Sequence, residues 1–207
     1  PVGHSGIIID QPSIVESAPT GPARTIRQQI IFNKCGVDDV DRSGLIFKML
    51  QKVSNIVDLT SEDKAEYMAR VWMDQEDPKV LCSIDPAFQQ RYLAAMMFFA
   101  WNGPETWKPE SAATWLSGAH ECEWFGITCN EDQVVTELEL KDHGLEGLLP
   151  TELFLLESLK KLSVDHNDLS GPIPSAIAQL QELEVLALDD NRFGGGVPAS
   201  LITMESV

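Results

Sequence analysis

The residues of this chain that could do chemistry are four cysteines, four histidines and one acid-rich loop. Asp39, Asp41, Ser43, Gly44 and Ile46 fall at positions 1, 3, 5, 6 and 8 of an EF-hand calcium loop. Calcium also takes a bidentate glutamate at the loop's last position, and that place is Leu50. Without those two oxygens the segment reads as acids ahead of a helix N-terminus, and no metal is expected there. His4, His120, His143 and His166 form no ligand-spaced cluster. No Ser-His-Asp order, phosphate-binding loop or G-x-G-x-x-G occurs, and the Gly194-Gly195-Gly196 run lies in a turn. No catalytic residue and no cofactor are therefore expected. Cys122 and Cys129 are near enough in sequence for a disulfide, whereas a metal would need two more ligands and none flank them. Cys35 and Cys82 either pair, tying helix to helix, or stay as buried thiols.

Charge narrows the partners. The net charge is −17, and residues 131–207 hold 15 acids against four bases, a local −11. Such a surface repels phosphate, which argues against nucleic acid and anionic lipid. The acids keep an elongated surface soluble; a basic partner is the sharper reading. No apolar run approaches the roughly 20 residues needed to span a bilayer. Tyr92 to Trp101 is too short and reads as a buried helix. The chain opens at Pro1 without a methionine and closes at Val207, so both ends read as cut, and a targeting signal or anchor upstream would lie outside it.

The elements that position these residues follow from a period. Val135, Leu159, Leu183 and Val207 recur every 24 residues. On that register Leu138, Leu162 and Leu186 align, as do Leu140, Val164 and Leu188. So do His143, Asn167 and Asn191, then Gly147, Gly171 and Gly195, then Pro150, Pro174 and Pro198. L-x-x-L-x-L-x-x-N at a fixed period is a leucine-rich repeat. Each unit lays one strand, turns and returns; its leucines are buried only by stacked neighbours. The column Asn is expected to bond turn backbone, and His143 to take a structural place in that column. The fold class is an α+β solenoid of three 24-residue units behind a helical N-terminal region and a cap.

Four segments result: an extended arm at 1–24, a helical region at 25–90, a repeat cap at 91–130 and repeats at 131–207. The arm is Pro- and Gly-rich and carries apolar Ile7, Ile8 and Ile9. Downstream, Ile26, Ile30 and Ile31 are read as one helix face, and Leu45, Ile46, Met49, Leu50 and Val53 follow a 3.6 period. Thr60 to Asp63 reads as a capping-box start before Ala65. Asp85-Pro86 reads as an N-cap and first helical position for a helix through Phe88, Tyr92, Met96 and Phe99, stopped at Asn102-Gly103. A short helix is expected over Ser111 to Leu116. Trp107, Trp115 and Trp124 are expected in the core, Trp101 at the surface.

Trp115, Cys122, Trp124, Gly126 and Cys129 read W-x6-C-x-W-x-G-x2-C. This resembles the N-terminal cap of plant-type leucine-rich repeat proteins. The G-x-I-P and G-x-V-P elements at Gly171 to Pro174 and Gly195 to Pro198 are of the same type, and Gly147 to Pro150 departs only by Leu for Ile. The resemblance implies a Cys122–Cys129 disulfide, hence an oxidising compartment: secreted, cell-surface or an organelle lumen, with the plastid thylakoid lumen as an alternative. Further back, Ala69, Trp72, Asp77-Pro78, Gln90-Arg91-Tyr92, Phe98-Phe99, Gly103 and Trp107 resemble the pattern of leucine-rich repeat proteins of stramenopile (diatom-like) algae, over about residues 65–207.

The concave face of such a solenoid is formed by Glu137, Glu139 and Lys141, then Lys161, Ser163 and Asp165, then Val185, Ala187 and Asp189. It is narrow and mixed in charge, and lacks the Trp, Tyr or Arg typical of hot spots. The expected function is a non-enzymatic protein-binding or scaffold module. The alternatives are a structural, possibly lumenal, subunit of a larger algal membrane complex, and a secreted hydrolase inhibitor or receptor ectodomain. Partner contact is expected mainly in residues 1–90, with Ile7 to Ile9 adding to a sheet edge or groove.

Overall fold

The structure is a computed structural model and describes residues 24–203. The arm residues Ile7, Ile8 and Ile9, and with them Met204 and Val207, lie outside the described residues.

Helix α1 (Ile26–Cys35) opens on a capping box between Thr25 and Gln28 and closes on a left-handed Gly36. Of its three isoleucines only Ile31 is buried; Ile26 is 83% and Ile30 46% exposed, so the expected single apolar face does not form. Helix α2 (Asp39–Leu50) is capped by Asp38, whose carboxylate accepts from the Asp41 N–H. Residues 39–50 are thus helix throughout and not a calcium-type loop. Ile46 and Leu50 enter the core, whereas Leu45 is 45% exposed.

Helix α3 (Ala65–Val71) starts after Lys64 with no side-chain cap. The expected capping box fails because the Thr60 hydroxyl donates backwards to the Ile56 and Val57 carbonyls. α3 runs on as a π-helical turn, Trp72–Glu76. Arg42, fully buried, donates to the carbonyls of Met73, Asp74 and Leu81 around that turn. A π turn departs from the regular i to i−4 ladder, and here a guanidinium with five donors takes up carbonyls beside it.

Helix α4 (Phe88–Ala100) is buried along almost its whole length. It begins later than the sequence predicts: Asp85 accepts from the Ala87 N–H and shapes the turn before the helix instead of capping it. Helix α5 (Gly103–Thr106) follows, then α6 (Pro109–Ala112). α6 starts at Pro109 instead of Ser111, and Leu116, at φ 57°, sits in the left-handed region where a helix cannot continue.

The strands are β1 (Ile127–Cys129), β2 (Val135–Glu139), β3 (Glu146–Leu148), β4 (Lys161–Ser163), β5 (Asp168–Pro172), β6 (Val185–Ala187) and β7 (Arg192–Gly194). One sheet has the order β1-β2-β4-β6, the other β3-β5-β7. β1 is antiparallel to β2, and the remaining pairs are parallel. The first sheet pairs Glu137 with Lys161 and Lys161 with Val185. The return side is built of 3-10 turns at Thr151–Leu155 and Ser175–Gln179, then α7 (Ala199–Ile202). Gly147, at φ 125°, lets β3 lie directly on the end of α4; a Cβ there would collide with the Ala100 carbonyl.

Leu138, Leu140, Leu162 and Val164 are fully buried, and one continuous core runs from Ile46 to Leu183. Asn167 bonds the turn backbone as its column predicts. Its Oδ1 accepts from the His143 and Leu145 N–H groups, and its Nδ2 donates to the carbonyls of Leu140, Val164 and Asp165. Asn167→Ala leaves several of these groups unsatisfied in a dry interior. We expect a loss of about 2–3 kcal/mol, read as a lowered urea midpoint with unchanged slope.

The tryptophans join cap to helices. Trp72 and Trp124 lie edge to face at 6.0 Å, as do Trp107 and Trp115 at 4.9 Å, and the Trp115 and Trp124 rings are tilted at 5.3 Å. Trp101 corrects its expected exposure. It is fully buried, and its Nε1 donates to the Leu148 carbonyl at 2.9 Å. Two disulfides are present, Cys122–Cys129 and Cys35–Cys82. The second settles the open question of that pair. Among the described residues no helix is long and apolar enough to cross a membrane.

Candidate binding face

Strands β2, β4 and β6 present the side chains between the buried leucines. They do not present them equally. Glu139 and Lys141 are exposed, Glu137 and Lys161 half-buried, and Val185 is 45% exposed. Ser163 and Asp165 are buried, which corrects the expectation that the whole face is open. The cause is local pairing. The Ser163 hydroxyl donates to Asp165 Oδ1 at 2.7 Å, and Lys141 Nζ reaches Asp165 Oδ2 at 2.8 Å. Burial alone would raise the Asp165 pKa. The hydrogen bonds from Lys141, Ser163 and His166 outweigh it and hold the carboxyl well below the usual carboxylate range. The same contact raises the Lys141 pKa.

A second pair crosses the same strands, with Lys161 Nζ 2.7 Å from Glu139 Oε1. The bond lowers the Glu139 pKa and raises that of Lys161. The Glu139–Lys161 pair is open to solvent and contributes little to stability, whereas the Lys141–Asp165 pair rests on a buried carboxylate. Both pairs hold long side chains in one arrangement across the strands.

Asp165, His166 and Asp189 bring donor atoms within 4.8 Å of one another. That set is already committed. His166 Nδ1 sits 3.0 Å from Asp165 Oδ2 and its Nε2 2.9 Å from Asp190 Oδ2, while Lys141 takes Asp165 as well. We assign no metal to it.

A cavity of about 380 Å³ opens at the cap end of the sheet, lined by Phe125, Thr128, Glu139, Lys141 and His143 among others. The Phe125 and His143 rings meet edge to face at 4.6 Å. Burial, helped by Lys108, pushes the His143 pKa down. His143 also accepts from the Lys108 N–H through its carbonyl, and its Nδ1 lies 3.1 Å from Ser111 Oγ, so its column position is structural. Phe125 adds an aromatic surface beside Glu139 and Lys141. It is reached through the antiparallel β1–β2 pairing, which the 24-residue period does not describe. The signal lay in the cap motif, where Phe125 follows the core Trp124.

Residues 158–180, which include β4 and β5, match the Leucine Rich Repeat family. The chain carries a leucine-rich repeat. Over 45 residues, 22% of its length, it is 44% identical to a probable leucine-rich repeat receptor-like protein kinase of Arabidopsis thaliana, covering 5% of that protein. Over 57 residues, 26% of its length, it is 39% identical to phytosulfokine receptor 2 of the same plant, covering 6% of it. The match thus spans a small part of these relatives. Among solved structures, the BIR2 ectodomain from Arabidopsis thaliana aligns with 54% of this chain and 62% of its own, at 28% identity and TM-score 0.46. The PEPR1–AtPEP1 complex aligns with 54% of this chain and 16% of its own, at 30% identity and TM-score 0.47.

Proposed function

We propose that this chain is the recognition part of a receptor-like protein outside the cytosol, and that its concave sheet binds a polypeptide without catalysing a reaction. Both curated relatives named above are receptors or receptor-like kinases. The two disulfides fit an oxidising compartment. The observation that carries the reading is the alternation along β2 and β4. Leu138 and Leu162 face the core, while exposed Glu139 and half-buried Lys161 beside them pair diagonally across the two strands.

In this reading three 24-residue units stack as a short solenoid. The ligand lies across Glu137, Glu139, Lys141, Lys161, Val185 and Asp189. Phe125 anchors it at the cap end. Ser163 and Asp165 hold Lys141 in place instead of touching the ligand. Three parallel strands at about 4.8 Å spacing form a narrow patch, so the anchor carries much of the affinity.

The test is a displayed-peptide selection on the full chain, followed by titration against the variant Glu139→Ala, Lys161→Ala, Val185→Arg. Glu139 and Val185 are exposed and Lys161 keeps its amine at the surface, so these substitutions leave the core intact. Selected peptides are expected to bind the variant at least tenfold more weakly, at unchanged melting temperature. Equal affinity for both proteins would sink the concave-face reading.

A further inference from the structure

A second groove, of about 440 Å³, lies where the helical region meets the return side of the repeats. Its floor is apolar: Met68 of α3, Phe99 near the end of α4, and Leu148 and Leu149. Leu148 is 59% exposed, large for a leucine at the foot of a groove. The charged lining is one-sided. Asp58, Asp63, Glu66 and Glu152 stand against Lys64.

Glu66 is half-buried. Burial raises its pKa, and Glu152 and Asp58 push it the same way; its own backbone N–H and Lys64 only partly offset them. Half-buried acids of like charge beside an apolar floor are costly in the free protein. An entering cation would relieve them, and its alkyl stem would cover the floor.

We propose that this groove binds a basic polypeptide segment, with an Arg or Lys side chain entering between Glu66 and Glu152 and an apolar neighbour resting on Leu148 and Phe99. None of these residues belongs to the concave face, so the two sites stand or fall separately. The chain's own charge of −17 favours the same class of partner at long range.

The probe is a fluorescein-labelled Leu-Arg-Leu-Arg peptide, with a control in which citrulline replaces both arginines. Citrulline keeps the shape and removes the charge. Methyl NMR of the full chain reports where each peptide lands, and anisotropy reports affinity. The arginine peptide is expected to shift the Met68 and Leu148 methyl signals, the citrulline peptide to leave them in place. Glu66→Gln combined with Glu152→Gln should weaken the arginine peptide at least tenfold and raise the melting temperature of the free protein. The raised temperature shows that the variant is folded. The concave-face variant should bind the arginine peptide like wild type. The proposal is overturned if both peptides bind alike, if the double variant binds like wild type, or if the shifts fall elsewhere or do not appear at millimolar peptide.

Discussion

Replacing Arg91 with leucine is expected to cost roughly 3–5 kcal/mol, the largest loss of any single substitution considered. Arg91, Asp77 and Glu121 are all fully buried. Arg91 Nη2 lies 2.7 Å from Asp77 Oδ1, and its Nη1 lies 3.3 Å from Glu121 Oε2. The guanidinium also donates to the Ser117 and Ala119 carbonyls and lies over both the Trp72 and Trp124 rings, 5.1 and 4.9 Å from their centroids. One side chain on α4 thus holds the π turn, the cap and two tryptophans. Leucine fills most of the space but leaves two carboxylates buried without a cation. Adding Asp77→Asn and Glu121→Gln should recover part of the loss, because neutral groups need no counter-charge. Urea unfolding of the three proteins checks this. An Arg91→Leu midpoint equal to wild type would mean the buried pairs are not formed.

Removing the Cys35–Cys82 bridge should cost more than removing Cys122–Cys129. The two close loops of sequence separation 47 and 7. Chain-entropy scaling gives about 4 kcal/mol for the long loop and about 2 kcal/mol for the short one. Double serine variants of each pair, unfolded in urea, give the comparison directly. The reverse order would show that the short bridge, which sits under the first paired strands, acts mainly through native-state packing. The long bridge ties the end of α1 to the segment before α4, so its loss should also expose α1 to proteolysis first.

The repeat side of this molecule was legible because its physics is one-dimensional. A leucine at 138 is answered by one at 162, and an asparagine at 167 satisfies a turn that its own column predicts. The cap was legible as a motif: Trp115, Trp124 and the two cysteines meet as their spacing implies. What stayed hidden depends on partners distant in sequence. Trp101 is buried because the Leu148 carbonyl, 47 residues away, accepts from its ring. The π turn after Val71 has no propensity signature; Arg42 reaches it from 30 or so residues upstream. Thr60 had two backbone choices, and only packing selected the one that does not cap α3. In the candidate site the charged columns were legible from alternation. The burial of Asp165 was not, because it rests on Lys141 from the neighbouring strand and on Ser163 and His166. Phe125 was missed for a related reason: an antiparallel hairpin brings it to the edge of an otherwise parallel sheet.

Hydrogen exchange on the full chain, with and without a peptide selected against it, shows whether the sheet of β2, β4 and β6 is the binding face. Slowed exchange is expected at Phe125–Thr128 and along β2, β4 and β6, with Lys161 and Val185 inside the protected set. Protection confined to α1 and α2, with those strands exchanging as in the free protein, would contradict it.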